Sequence, residues 1–183
     1  MKPIANWNNI TAEAEGMRTK LQPGGYVVRI TGVINDAKKE YLKVVYDIAE
    51  GPEAGRYSDD WGQNPDNDYA HSFFRSYKEK ALGMFKGFIQ TVEESNAGYK
   101  WDWHEEKLAG KLIGIVLGSE EYMSNRGEIA TRLTVRTVTT AAKIRAGEFV
   151  VPDVKKYKPK AETAVSSPNS MNAETIEDPD IPF

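Results

Sequence analysis

The chain contains no cysteine and only two histidines, His71 and His104, in 183 residues. Disulfides, thiolate metal sites and cysteine nucleophiles are therefore excluded. Neither histidine lies near an obvious nucleophile, which disfavours histidine-based catalysis. No stretch approaches the roughly 18 apolar residues of a membrane span, and residues 1–21 lack the apolar core of a secretory signal. We therefore expect a cytoplasmic protein that needs no cofactor or membrane and is not an enzyme.

Charge of either sign is not in large excess, but it is unevenly distributed. The formal net charge is −3, and residues 161–183 contain five acids and no lysine or arginine. The other residues therefore carry 24 basic and 22 acidic side chains (27 less 5), a net charge of +2. The segment 155–173 has too little apolar content to offset the entropy of ordering, which predicts a disordered linker. We expect an arm at 1–21, one domain at 22–154 and a disordered tail at 155–183.

Alternating apolar residues predict strands at Tyr26–Val33 and Tyr41–Ile48. In the first, Val28 and Ile30 are expected to face the core, and Arg29 faces the other way. In the second, the inward residues are expected to be Leu42, Val44, Tyr46 and Ile48. A third strand is predicted to begin near Arg56, to break at a polar loop and to resume at about 69–75. Two further strands are predicted at Lys111–Tyr122 and Ile129–Val138, joined by the turn Asn125-Arg126-Gly127. In the last strand, alternation predicts one face with Leu133, Val135 and Thr137 and the other with Arg132, Thr134, Arg136 and Val138.

One long helix is predicted between the third and fourth strands. Ser76 and Glu79 have the spacing of a capping box, and an apolar stripe follows, made of Ala81, Leu82, Phe85, Phe88, Ile89 and Val92. Five strands with a helix after the third are typical of the OB-fold, a small Greek-key barrel. The expected fold is therefore mainly β, a five-stranded OB-fold barrel with one long helix, although other small α+β barrels share this order.

Basic and aromatic residues on the outward faces of the strands predict a single-strand binding surface, because a positive groove with stacking platforms binds such strands. Trp101 and Trp103 flank a loop and are expected to be packing residues. Arg75 directly follows the Phe73-Phe74 pair, of which Phe74 is expected to be the exposed partner. The candidate binding residues are Arg29, Tyr41, Lys43, Trp61, Phe74, Arg75, Arg132 and Arg136.

An alternative use of the acids is a metal site. Asp59, Asp60, Asp66 and Asp68 allow a metal-dependent nuclease to be considered, but acids in a loop rich in Gly, Asn and Pro are usually turn formers. Their spacing is not that of a calcium-binding EF loop. The sequence therefore predicts no metal ligands.

The last six residues, Asp178-Pro179-Asp180-Ile181-Pro182-Phe183, resemble the acidic tip of bacterial single-stranded-DNA-binding proteins, whose tails end in aspartates followed by Ile-Pro-Phe. Pro179 departs from the pattern, since an aspartate is usual there. The resemblance implies that Asp178, Asp180, Ile181, Pro182 and Phe183 bind partner proteins of replication or recombination. It agrees with the OB-fold prediction, which comes from the strand order.

The segment Arg75–Ile89, followed by Tyr99-Lys100-Trp101-Asp102-Trp103, is similar to a group of phage-encoded proteins from prophages of Gram-positive bacteria. The likeness implies a phage or prophage origin and a bacterial host, and it carries over no catalytic residues. The expected function is coating of single-stranded DNA and recruitment of replication or recombination proteins through the tip. An accessory protein that anneals strands or loads a recombinase is the alternative, and homo-oligomerisation stays open.

Overall fold

A five-stranded antiparallel sheet forms the centre of the protein, which confirms the prediction of a mainly β chain. The computed structural model describes residues 21–58 and 71–159. The strand order is β3-β2-β1-β4-β5, and no pairing between β3 and β5 closes the sheet within this part of the chain. The strands are β1 (Gly24–Asp36), β2 (Tyr41–Ile48), β3 (Ser72–Ser76), β4 (Leu112–Met123) and β5 (Ile129–Thr139).

The long helix lies between β3 and β4 in the chain, as predicted. A 3-10 turn, Glu79–Ala81, leads directly into α1, Leu82–Ser95. The predicted capping box does not form, because the Ser76 hydroxyl accepts from the Lys78 amide at 3.2 Å and no side chain caps either helical segment. A second 3-10 turn spans Glu105–Leu108, and a short helix, α2, spans Ala141–Arg145.

The main core lies between α1 and one face of the sheet, which we call the inner face. The predicted inward residues of β2, Leu42, Val44, Tyr46 and Ile48, are all buried there. They pack with Val28 and Ile30 of β1 and with Phe88, Ile89 and Val92 of α1. The helical stripe was predicted to include Leu82, but Leu82 is half exposed. Burial of these side chains provides the main drive for folding.

The third strand differs from its prediction. Residues 56–58 form a helical turn rather than a strand, because the buried carboxylate of Asp47 accepts hydrogen bonds from their backbone. The amides of Tyr57 and Ser58 donate to it at 3.0 and 3.1 Å, and the Ser58 hydroxyl also donates. Ser72–Ser76, the predicted second part, is the whole of β3.

Two register shifts change which side chains face outward. In β1, Ile30 pairs with Tyr46 but Gly32 pairs with Val45, so Thr31 is an extra residue. In β5, Arg136 is extra between the residues that pair with Leu117 and Val116. Such bulges locally increase twist and redirect side chains. The predicted alternation of β5 is therefore wrong after Arg136: Val138 packs against the main core, and Thr137 is exposed.

The opposite, outer face of the sheet is half covered by the chain that follows β5. A second apolar cluster forms there from Val27 of β1, Val116 of β4 and Ala141 and Ile144 of α2, with Leu112 and Phe149 at its margin. We call this region, over the adjoining parts of β1 and β4, the covered half. Among the described residues, α1 and the other helices are too short or too polar to cross a bilayer.

Candidate nucleic-acid interface

The other half of the outer face is open and carries an exposed apolar and aromatic surface. Its centre is a cross-strand row in which Ile34 of β1 pairs with Lys43 of β2, and Lys43 pairs with Phe74 of β3. Ile34 is 57% exposed and Phe74 is 42% exposed. Tyr41 completes the surface, its ring centroid 5.0 Å from that of Phe74 in an edge-on arrangement. We call Ile34, Tyr41, Lys43 and Phe74 the open patch.

The open patch unites three of the predicted binding residues, Tyr41, Lys43 and Phe74. Phe73 points to the core and Phe74 points out, as expected from strand alternation. Ile34 was missed, because it is outward only after the bulge at Thr31. The isolated glycine at position 32 was the available signal, since a glycine within a strand pattern often marks a bulge.

Arg75 was predicted to join this surface but lies on the inner side of the sheet. Its guanidinium carbon is 4.6 Å from the centroid of the Phe73 ring and 5.8 Å from that of Phe88. Burial lowers the pKa of Arg75 to about 10. The physical reason is alternation: a residue that follows an outward Phe74 in a strand must face inward. Arg75 therefore stabilises the edge of the core.

Arg29 is on the outer face, as predicted, but far along β1 from the open patch. Its Nη1 donates to the Gly110 carbonyl at 3.3 Å. Its cross-strand partner is Asp47, whose carboxylate is already occupied by the turn at 57–58. The structure therefore does not bring Arg29 together with Lys43.

Arg132 and Arg136 lie on the far flank of the outer face, in β5. Arg132 pairs with the Glu120 carboxylate at 3.1 Å, and its guanidinium lies 5.0 Å from the centroid of the Tyr122 ring. Arg136 packs close to the backbone of Gly118, where an added Cβ would lie 2.8 Å from Arg136 Cγ, and its Nη1 is buried without a hydrogen-bond partner. The four predicted cations thus share one face but are divided by the covered half.

Three glycines explain why this division exists. An added Cβ at Gly25 would lie 2.6 Å from the Phe149 ring, and one at Gly114 would lie 2.5 Å from Ile144 Cγ1 and 2.6 Å from the Thr140 carbonyl oxygen. At Gly118 it would lie 2.9 Å from Pro152 Cγ. Contacts under 3 Å are essentially forbidden, so only glycine lets residues 140–152 lie this close to the sheet. We call Gly25, Gly114 and Gly118 the glycine track.

An apolar groove of about 820 Å³ opens on the α1 side of the molecule. Trp101 packs edge-on against Phe85 there, as predicted for a packing residue, but Trp103 is 81% exposed, so its predicted packing role is wrong. Two acids, Glu93 and Glu105, and one lysine, Lys86, line the groove. Burial and the charges of Glu40, Glu105 and Asp36 raise the pKa of Tyr77, which also lines it. The net negative charge of the lining disfavours phosphate, which favours the open patch for nucleic acid.

Several predicted site residues lie outside the described residues. They are Trp61, the loop acids Asp59, Asp60, Asp66 and Asp68, and the tip residues Asp178, Asp180, Ile181, Pro182 and Phe183.

No protein-family model matches the chain, and a search of curated proteins finds no significant match.

Proposed function

We propose that the protein binds single-stranded DNA without strong sequence preference, that it is not an enzyme, and that the open patch makes the central contact. The observation that carries the proposal is an exposed Phe74 and Ile34 with Lys43 between them on one row of the sheet. An aromatic ring can stack on any base, and a lysine beside it neutralises a phosphate without reading sequence. An exposed apolar cluster of this kind marks an interaction surface.

The strand arrangement supports the same function through the fold. Antiparallel order β3-β2-β1-β4-β5, with the main helix between β3 and β4, is what an OB-fold barrel would have if opened between β3 and β5. In that fold the face of strands 2 and 3 binds oligonucleotides. The open patch occupies this face, and we therefore propose an OB-type domain.

The test is a titration of the full-length chain with poly-dT and with duplex DNA at two salt concentrations, followed by intrinsic fluorescence. We expect poly-dT to bind much more tightly than duplex, with an affinity that falls as salt rises by about 0.7 in log–log slope per phosphate neutralised. Equal affinity for duplex, or no effect of salt, would contradict the proposal. Acceleration of annealing between complementary strands would instead favour the recombination accessory role.

We also propose that the acidic tip recruits replication or recombination proteins. Apolar Ile181 and Phe183 with Asp178 and Asp180 nearby have the chemistry of a short peptide held in an apolar pocket with a basic rim. In a pull-down from the bacterial host, Phe183→Ala should lose these partners while binding poly-dT as before. Recovery of the same replication proteins by Phe183→Ala would refute the recruitment role.

A further inference from the structure

The chain that leaves the covered half adds itself to an unpaired edge of β4. Strand β1 begins at Gly24, which pairs with Leu117, so β4 beyond Leu117 has no β1 partner. Lys155 fills this position as a parallel bridge partner of Glu120. Its amide donates to the Ser119 carbonyl at 3.0 Å, and its carbonyl accepts from the Glu121 amide at 2.8 Å. Residues 154–158, which we call the basic strap, are therefore fixed to the sheet.

This position corrects the sequence-based prediction of a linker from residue 155. The composition of Val154-Lys155-Lys156-Tyr157-Lys158 is that of a linker, but its docking depends on a free strand edge that composition cannot reveal. The Tyr157 amide also donates to Glu121 Oε2 at 3.2 Å. Lys155 and Lys156 are thereby held at defined places beside β4, and Lys158 follows them in the chain.

Two carboxylates of β4 hold the strap and a neighbouring arginine. Glu120 pairs with Lys155 at 2.7 Å and with Arg132 at 3.1 Å, and Glu121 pairs with Lys156 at 2.7 Å. The acids lie beneath the cations: Glu120 is 13% exposed, against 49% for Lys155 and 54% for Arg132. The side chains most exposed to solvent here are consequently the cations. Asp153, directly before the strap, is the nearest acid in the chain.

An aromatic ring accompanies these cations, since Tyr122 lies under the Arg132 guanidinium. Arg132, Lys155 and Tyr122 repeat the chemistry of the open patch at the opposite end of the outer face, and Lys156 lies at the edge of β4, paired with Glu121 on the inner side. The register of β1 with β4 places Glu120 and Ile34 at opposite ends of the outer face, about 12 residues apart along the strands, which is roughly 40 Å on a flat sheet. Single-strand sites of OB domains cover about 4–16 nucleotides, and a strand in the upper part of this range can span the distance.

We propose that the basic strap, with Arg132 and Tyr122, is a second contact zone for the phosphates of single-stranded DNA. A bound strand would then cross the outer face from the open patch to the β4–β5 hairpin. Glu120 competes with phosphate for Arg132 and Lys155 and so limits the affinity. This inference rests on the proposed function. It adds a second contact zone for the DNA and a carboxylate, Glu120, that weakens binding there.

The test compares two triple variants of the full-length chain in poly-dT titrations over a range of salt. Lys155→Gln/Lys156→Gln/Lys158→Gln should lower the log–log salt slope by about 0.7 or more, since each lost phosphate contact is worth roughly 0.7 and Lys155 lies on the outer face. The control, Lys80→Gln/Lys86→Gln/Lys100→Gln, removes equal charge from the 3-10 turn before α1, from α1 and from the loop after it. Its slope should stay near that of the wild type.

An unchanged slope in the strap variant, or an equal fall in the control, would overturn the second zone while leaving the proposed function intact. Failure of the wild type itself to bind poly-dT would instead remove the proposed function. A second variant tests the competition: Glu120→Gln should bind poly-dT several-fold more tightly, whereas Glu79→Gln, with the same charge change on the α1 side, should not. Binding by Glu120→Gln that is no tighter than by Glu79→Gln would overturn the role of Glu120.

Discussion

The two halves of the outer face share β1 but differ in exposure: residues 140–152 cover the half on β1 and β4, whereas the half on β1, β2 and β3 is open. On the covered half, the glycine track lets residues 140–152 pack directly on β1 and β4. On the open half, the outward positions of β1, β2 and β3 carry the large side chains of Ile34, Lys43 and Phe74. No described segment lies over them. Side-chain size on one face therefore decides where the chain covers itself and where a ligand has access.

The comparison teaches that alternation predicts the direction of a side chain and not its exposure. Val27 and Arg29 both face outward on β1, yet Val27 is buried under α2 and Arg29 is exposed. The outward glycines of the glycine track lie under the covering segment, whereas Gly32, beside the bulge of β1, lies on the open half with no atom near it. An outward glycine away from a bulge is thus a candidate docking point for another segment.

Filling the glycine track should give the largest effect. Gly114→Val places a Cβ 2.6 Å from a backbone oxygen, which cannot move without shifting α2. We expect the free energy of unfolding to fall by about 3 kcal/mol or more, at the upper end of the range for overpacking, in urea denaturation.

The matched control for Gly114 is on the open half. Gly32→Val adds its side chain where no atom lies within 4 Å, so its effect should stay within about 1 kcal/mol of either sign. Equal destabilisation by the two substitutions would mean that loss of glycine flexibility, rather than contact with α2, determines the result.

Removing the aromatic ring of the open patch should affect binding and leave folding intact. Phe74→Ala should weaken poly-dT binding by about 2 kcal/mol, because base stacking contributes about 1–3 kcal/mol per platform. The measurement is the dissociation constant at fixed salt. Trp103→Ala removes a larger exposed aromatic on the groove side and should bind normally; a weaker complex for this variant would place DNA on the wrong face.

The smallest expected effect is the release of the basic strap from β4 at low pH. Burial alone would raise the pKa of Glu120, but hydrogen bonds from Lys155 and Arg132 outweigh it and hold the pKa below the ordinary 4.5. Stability from these contacts is therefore present above pH 4.5 and is lost as pH falls through the lower folded-state pKa. The loss should be about 1 kcal/mol or less.

Amide hydrogen exchange at Lys155 and Tyr157 measures this release between pH 6 and pH 3, after correction for the intrinsic exchange rate. Glu120→Gln should show a weaker dependence on pH than the wild type. Protection that rises on acidification would contradict the assigned role of the carboxylate.

The sequence predicted β2 fully, because its alternation has no interruption and one face is entirely apolar. It also predicted α1 and the open-patch residues Tyr41, Lys43 and Phe74. It could not predict the helical turn at 56–58, since the turn depends on Asp47, which lies ten residues earlier and becomes an acceptor only when β2 is in place. Local patterns carry no information on such distant partners.

The division of the predicted cations was equally beyond the sequence. Arg29, Lys43, Arg132 and Arg136 do face outward, but their separation follows from the segment at 140–152 and its contacts with three glycines. The inward direction of Arg75, in contrast, was available from the alternation that correctly separated Phe73 from Phe74.

The extra residue in β1 also sets how this surface can change by mutation. Before Thr31 the odd-numbered positions face outward, and after it the even-numbered positions do, so Ile34 is outside only by this change of parity. Because Thr31 is the extra residue, deleting it would remove the bulge and keep Gly32 opposite Val45 and Ile34 opposite Lys43. The inversion follows from the opposite change: if the bulge closed with Thr31 retained, Ile34 would turn inward and Val33 outward. The apolar part of the open patch therefore tolerates the loss of one codon at this point, and it depends on the bulge only while the strand keeps its length.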